Sequence, residues 1–509
     1  MLLAAAFRPA AFLVALVALP LEVAPMTALA RPAPAFRAGD CLIIDGRPRL
    51  VLGLYENPAD DGALSEAVAA GFTVFHCPAT IEALDRLARA GAHGWVNLGM
   101  DLDLSDDADR RAAALVATVR RLKDHPALLL WEGPDEILWN QSYSIETYMD
   151  AEEMPAAEAA VAGGAERRAE LAALLARARD LRSRGLFAAY EQARERFWSA
   201  AGSLPPRPAM RLDQAIALGR RSADGIAAGI RAVRREDPSR PVWLNHAPRN
   251  SLASLKRYGR EADMVGCDIY PIPFNLGVGH SDLLDMRPSS VGAYTDRMRA
   301  SAPGKLCAMV LQGFGWRDLQ PDPKAPRERG RRPTYAESRF MAYDAIAHGA
   351  SAILYWGTAY ALSDAEPGRP ASGEPAAARR SRLWRDLMRL ARELTALEPA
   401  LVAPEVRPAP RVTTAETFGS VDRPEVRVSL RRVGEDYVLI CVNESLWPAA
   451  FTLSGLPAGL EGVVLYRLGT DEQVSVEGRR FSDGIRASDV HVYATSHRFE
   501  PPAQAGTER

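Results

Sequence analysis

The sequence predicts a (β/α)8 TIM barrel, of class α/β, with a helical insertion after strand four and a C-terminal antiparallel β-sandwich. Three observations carry that prediction. Eight short, almost continuously apolar runs alternate with amphipathic segments, as in a parallel sheet covered by helices. Each run ends in acids, amides or aromatics, which suits a barrel whose working face lies at the strand C-termini. After Pro404 the helical period disappears, and short alternating runs with Gly, Pro and Asp turns replace it.

The elements follow in order. Residues 1–30 carry Arg8, an apolar run over 10–21 and then Ala28-Leu29-Ala30. That is the layout of a secretory signal cleaved after Ala30, and Pro20 and the shortness of the run oppose a spanning helix. The expectation is an exported protein, periplasmic or secreted, with no membrane span after cleavage. The barrel is assigned to 31–403, with strands predicted at 49–56, 72–77, 94–98, 127–132, 241–246, 264–270, 305–312 and 351–356. Apolar residues at three- and four-residue spacing predict helices at 63–70, 81–90, 107–123, 212–235, 252–260, 291–301, 335–348 and 382–397. Gly71, Gly91 and Gly349 stand where left-handed helix stops are expected. The stretch 137–210 is too long for an ordinary loop and predicts two inserted helices, 155–182 and 187–200. The sandwich is assigned to 404–500, with strands at 426–430, 437–443, 450–453, 462–466 and 491–494, and 501–509 reads as a disordered tail.

Composition removes several function classes. With 509 residues, 48% hydrophobic and 25% charged, the chain is globular and long enough for two domains. A net charge of −2 offers nothing to a nucleic acid. Five scattered cysteines include no CxxC pair, and no HxH or HExxH spacing suggests a metal. No GxGxxG follows the first strand and no GxSxG elbow appears, so neither a dinucleotide cofactor nor a serine triad is expected. Cofactors and metals are expected to be absent.

Projected onto a barrel, the strand ends gather Tyr55 and Glu56, His76, Asn97, Trp131 and Glu132 with Asp135 and Glu136, Asn245 and His246, Asp268 and Tyr270, Gln312 with Trp316, and Trp356. A saccharide needs such a mouth: carboxyls to move protons, amides and imidazoles to hold hydroxyls, flat rings to stack on C–H faces. Glu136, Asp268 and Glu56 are the candidate catalytic carboxyls, and the others are candidate substrate contacts. Each has a plainer alternative as a loop ion pair, a backbone-satisfied acid or a packed ring.

The segment His125-Pro126-Ala127-Leu128-Leu129-Leu130-Trp131, running into Asp135-Glu136, resembles strand four of the clan A glycoside hydrolases. The lead-in Leu42-Ile43-Ile44-Asp45-Gly46-Arg47-Pro48, the stretch Asp237-Pro238-Ser239-Arg240-Pro241-Val242 before strand five, and Trp356 after strand eight resemble that family in the same order. The likeness spans roughly residues 40–400. It implies that Glu136 is the general acid/base, that Trp356 is an aromatic platform, and that the substrate is a saccharide cleaved at an O-glycosidic bond.

The family's nucleophilic Glu ends strand seven, where this chain has Val310-Leu311-Gln312-Gly313-Phe314, and an amide is no carboxylate nucleophile. Asp268 or Glu56 then supplies the second carboxyl. Inverting pairs stand about 6.5–9.5 Å apart and retaining pairs about 5–5.5 Å, so separation would decide the stereochemistry. The alternatives are a pseudoenzyme that binds sugar without cutting it, or a cell-surface scaffold whose β domain meets partners.

Overall fold

The computed structural model describes residues 35–36, 41–248, 250–272, 286–319, 329–362, 380–415 and 426–501. The expected signal segment, residues 1–30, and nearly all of the expected tail lie outside the described residues. Among those residues no helix is long and apolar enough to cross a membrane.

Eight parallel strands close into a barrel: β1 (Val51–Leu54), β2 (Val74–Cys77), β3 (His93–Asn97), β4 (Leu128–Glu132), β5 (Val242–His246), β6 (Met264–Ile269), β7 (Leu306–Gln312) and β8 (Ala352–Trp356), with β8 pairing β1. These are the eight predicted strands, each bound within two residues of its expected place. Side chains alternate across each strand. Val51, Val74, Trp95, Leu130, Trp243, Met264, Val310 and Leu354 fill the interior, whereas Leu52, Phe75, Val96, Cys267 and Ile353 pack outward against the helices. A hairpin, Leu42–Ile44 with Arg47–Arg49, precedes β1, and its Leu42 and Ile44 join the interior cluster beside strand-opening residues such as Leu306 and Ala352. The hairpin thus plugs the N-terminal end of the barrel.

Helices α1 (Asp61–Ala70), α2 (Ile81–Arg89) and α3 (Ala108–Leu122) cover the first half. The insertion then contributes α4 (Ile137–Tyr148), a π turn over Met149–Glu153, α5 (Met154–Gly163), α6 (Arg168–Ser183) and α7 (Phe187–Ala201). The single helix expected over 155–182 is two, because Gly163-Gly164 favours a break and Gly164 closes α5. Its core includes a buried ionic group: Arg194 donates to Glu153 at 2.5 and 2.8 Å and to Glu191 at 3.0 Å, and Trp198 Nε1 donates to Glu153 at 3.0 Å. The remaining helices are α8 (Leu212–Glu236), α9 (Leu252–Tyr258), α10 (Ser290–Ser301), α11 (Trp316–Leu319), α12 (Tyr335–Ala347), α13 (Thr358–Ala361) and α14 (Arg382–Leu401).

The C-terminal region is a two-sheet sandwich. One sheet holds β9 (Arg411–Thr414), β12 (Ala449–Ser454) and β15 (Arg480–Ile485). The other holds β10 (Val426–Val433), β11 (Asp436–Asn443), β16 (Val490–Ala494), β13 (Val464–Arg467) and β14 (Gln473–Ser475). The strands β9, β14 and β15 escape a sequence reading because they are short or interrupted by Asp and Gly. The sandwich packs on the barrel's outer helices, where Arg339 of α12 donates to the Val490 carbonyl at 2.8 Å and Arg427 of β10 to that of Ala347 at 2.9 Å.

Strand closure leaves no space at Gly266, whose missing Cβ would collide with the Ala308 carbonyl of neighbouring β7. Gly266→Ala is expected to cost about 3 kcal/mol or more, read as a lowered midpoint of chemical unfolding.

Candidate functional site

Period-two alternation brings one side chain from the end of each strand to the C-terminal mouth. Tyr55, His76, Asn97, Glu132, Asn245, Asp268, Gln312 and Trp356 all have the parity of the interior residues below them. The floor beneath is aromatic: Trp95 and Trp243 meet edge to face at 5.8 Å, and Tyr55 packs on both at 5.1 and 5.8 Å. His76 stacks beside Tyr55 at 6.2 Å, and burial lowers its proton affinity.

Two acidic centres stand on this floor. Glu132 is fully buried; Oε1 accepts from the Tyr55 hydroxyl at 2.9 Å, and Oε2 from Trp95 Nε1 and Asn97 Nδ2, each at 3.0 Å. Burial, reinforced by the neighbouring Asp135 carboxylate, pushes its pKa up to about 8 despite those donors. Asp268 lines the recess next to it. Its Oδ1 accepts from Asn245 Nδ2 at 2.5 Å and its Oδ2 from the Tyr270 hydroxyl at 2.7 Å. The same Asn245 amide donates to Asp135 Oδ1 at 2.8 Å, so one amide bridges two acids, and its Oδ1 is left without a partner. Desolvation, then the Glu136 and Asp135 charges, hold the Asp268 carboxyl well above the usual carboxylate range.

Glu136 follows β4 and opens α4 in a left-handed conformation, φ 45° and ψ 31°, which a side chain adopts at a cost on the order of 1 kcal/mol. Its amide donates to the Asn245 carbonyl at 3.3 Å, tying the turn to β5. The side chain is half-exposed and does not cap the helix it begins. Across the mouth, Tyr270 stacks on Trp356 at 5.7 Å, and Phe314 and Trp316 complete an aromatic wall.

Glu136, Asp135, Asp268, Asn245, Tyr270 and Trp356 are therefore brought together, with Glu132, Tyr55, Asn97 and His76 immediately beside them. Five other candidates are placed elsewhere or are already engaged. Trp131 points outward, fully buried, and its Nε1 donates to Asp237 at 3.0 Å. His246 also points outward, against Tyr258 at 6.3 Å, and burial lowers its pKa to about 4. Glu56 accepts from the Gly357 and Thr358 amides at 2.7 and 3.1 Å, which makes it the cap of α13 and not a rim acid. Gln312 is fully buried; its amide donates to the Ile272 and Phe314 carbonyls and accepts from the Ile272 amide at 2.9 Å. It clamps the loop after β6 and does not face a ligand. Trp316 is 2% exposed and supports the wall from behind.

Sequence reasoning missed Trp95 and Trp243 in the floor, Phe314 in the wall and Tyr360, which is 47% exposed beside Trp356 at 6.3 Å. Alternation along β3 and β5 was the available signal for the two tryptophans.

The sequence matches no family model and no curated protein. Solved structures do resemble the fold. A protein described as "Glycoside hydrolase" superposes with a TM-score of 0.50 at 12% identity, covering 91% of this chain and 96% of that one. A family 5 glycoside hydrolase from Bacteroides vulgatus gives 0.48 at 13%, covering 90% and 91%, and a β-galactosidase from Bacillus circulans gives 0.47 at 11%, covering 88% and 99%. At 12% identity the first of these likenesses bears on the fold alone.

The buried Glu132 carboxyl makes a pH prediction. Its proton affinity is raised from 4.5 to about 8 in the folded state, so the folded chain holds a proton that the unfolded chain releases in between. The stabilisation is fully present below pH 4.5 and is lost as pH rises toward 8. Gln at this position keeps an acceptor for Trp95 and Asn97 while the Tyr55 hydroxyl reverses its role. Thermal unfolding of Glu132→Gln between those pH values should therefore fall less steeply with pH than that of the wild type.

Proposed function

We propose that the protein is an exported glycoside hydrolase that cleaves an O-glycosidic bond of a saccharide with Glu136 and Asp268 as its proton-transferring pair. One observation carries the reading: a strained, half-exposed Glu136 whose charge bears on a recessed Asp268, with Asn245 holding Asp268 to Asp135. Strain of this kind in a non-glycine residue concentrates at functional sites. The aromatic wall of Tyr270 and Trp356 supports a sugar ring, and the resemblance to the structure described as a glycoside hydrolase agrees with that chemistry in kind.

The resemblance makes Glu136 the general acid/base. Burial belongs instead to Asp268, whose carboxyl is held above the usual range by desolvation and then by the Glu136 and Asp135 charges, so the resting proton is assigned to Asp268. In the reaction one carboxyl protonates the leaving oxygen while the other, ionised, acts at the opposite face of the sugar, either on water or on the anomeric carbon. A second reading, a saccharide-binding barrel without turnover, is favoured by Gln312, which puts a main-chain-bound amide at the end of strand seven.

A panel of aryl glycosides, assayed for hydrolysis and for binding in parallel, separates the two. Glu136→Gln and Asp268→Asn should each lower kcat by about 100-fold or more, with saccharide binding still measurable. Wild-type activity should decline on the alkaline side, as the Asp268 proton is lost, at a pH above the ordinary carboxylate range. Undiminished hydrolysis in either variant would remove that residue from the pair, and binding with no wild-type hydrolysis would establish the second reading. Export has its own check: the mature chain should begin at Arg31 when its mass is measured from the periplasm or medium.

A further inference from the structure

A second group of ligating side chains lies at the other end of the barrel. Asp344 on α12 and His348, which ends that helix, stand one turn apart on the same face. Glu444 reaches them from the sandwich, in the turn after β11. One ligand atom of each residue lies within 4.8 Å of the others. His348 Nε2 is 2.7 Å from Glu444 Oε1 and 3.8 Å from Asp344 Oδ1.

Asp344 is the independent observation. It is fully buried; Oδ2 accepts from the Gly292 amide at 2.7 Å, while Oδ1, turned toward the imidazole, has no hydrogen-bond partner. A buried carboxylate oxygen left unpaired is costly. The other imidazole nitrogen, Nδ1, stands 2.9 Å from Asp296 Oδ2, and Arg427 lies 3.9 Å from the far oxygen of Asp296. Glycine is required at 292, since a Cβ there would come within 2.5 Å of His348 Nε2 and 2.8 Å of Asp344 Oδ2.

We propose that Asp344 Oδ1, His348 Nε2 and Glu444 Oε1 bind a divalent transition-metal ion of zinc type, which pins the sandwich to the outer helix α12 of the barrel. Ligand atoms around a tetrahedral zinc stand about 3.3 Å apart, a spacing bracketed by the 2.7 and 3.8 Å separations from His348. One imidazole with two carboxylates suits zinc better than calcium or magnesium, which prefer oxygen throughout. Asp296 occupies the place of the outer carboxylate that orients a ligating histidine through its second nitrogen. The ion would supply the missing partner of Asp344 Oδ1, with water completing the shell. Because α12 runs back to the N-terminal end of β8, the site is remote from the mouth, and its role is structural.

The test uses the full chain stripped with a chelator and titrated with Zn2+ alone by calorimetry, with Co2+ absorption reporting the coordination geometry. One equivalent should bind and raise the thermal midpoint. Asp296→Asn should weaken binding about 10–100-fold. Glu444→Gln, at a half-exposed position that leaves the helix core untouched, should weaken it at least as much. Circular dichroism confirms that both variants fold. Failure of the stripped wild type to take up Zn2+, or equal affinity in wild type and both variants, would overturn the proposal.

Discussion

Closing eight parallel strands into a ring fixes the destination of every side chain along them, because successive residues must point alternately at the enclosed core and at the helical shell. Most of what this protein presents at its mouth follows from that constraint. Trp95 and Trp243 fill the level below the rim, and the next inward residues, Asn97 and Asn245, must then emerge above them. No loop has to be ordered to achieve this. Glu132, Asp268 and both amides are presented by the hydrogen-bonded strand ends, and Asp135 and Glu136 by the turn after β4, which limits how far they can relax from their neighbours.

That rigidity explains the electrostatics. Glu132, Asp135, Glu136 and Asp268 crowd one hollow, and an all-ionised set would repel strongly in so little water. The structure answers with donors: Tyr55, Trp95 and Asn97 on Glu132, and Tyr270 and Asn245 on Asp268. Residual desolvation still favours a bound proton on the deeper acids. A site held in that state is prepared to give a proton up when a ligand changes its surroundings.

Much of this was legible in the sequence, and the reasons differ from residue to residue. The strands were readable because burial on both faces makes them uninterrupted apolar runs. The mouth residues were readable because they end those runs. The same parity already argued against Trp131, His246 and Glu56, since their neighbours Glu132, Asn245 and Tyr55 point inward. Residue type had been weighed there without direction. Gln312 is a different case: its parity is right, but its amide is claimed by the main chain at Ile272, some forty residues earlier, and only coordinates reveal such a partner. The break of the inserted helix at Gly163-Gly164 was visible in composition, whereas the buried Glu153–Arg194–Glu191 group was not, because charged residues at helical spacing read as a solvated face.

Glu56 has one more consequence. It belongs to the first strand's end, yet it holds the turn that follows the last strand, across a sequence separation of 301 residues. The seam where the cylinder joins itself is therefore latched by a contact that cannot exist until the chain through Thr358 has left the ribosome. Until those residues are in place the first strand lacks its partner on one side, and the cylinder closes only with its final turn.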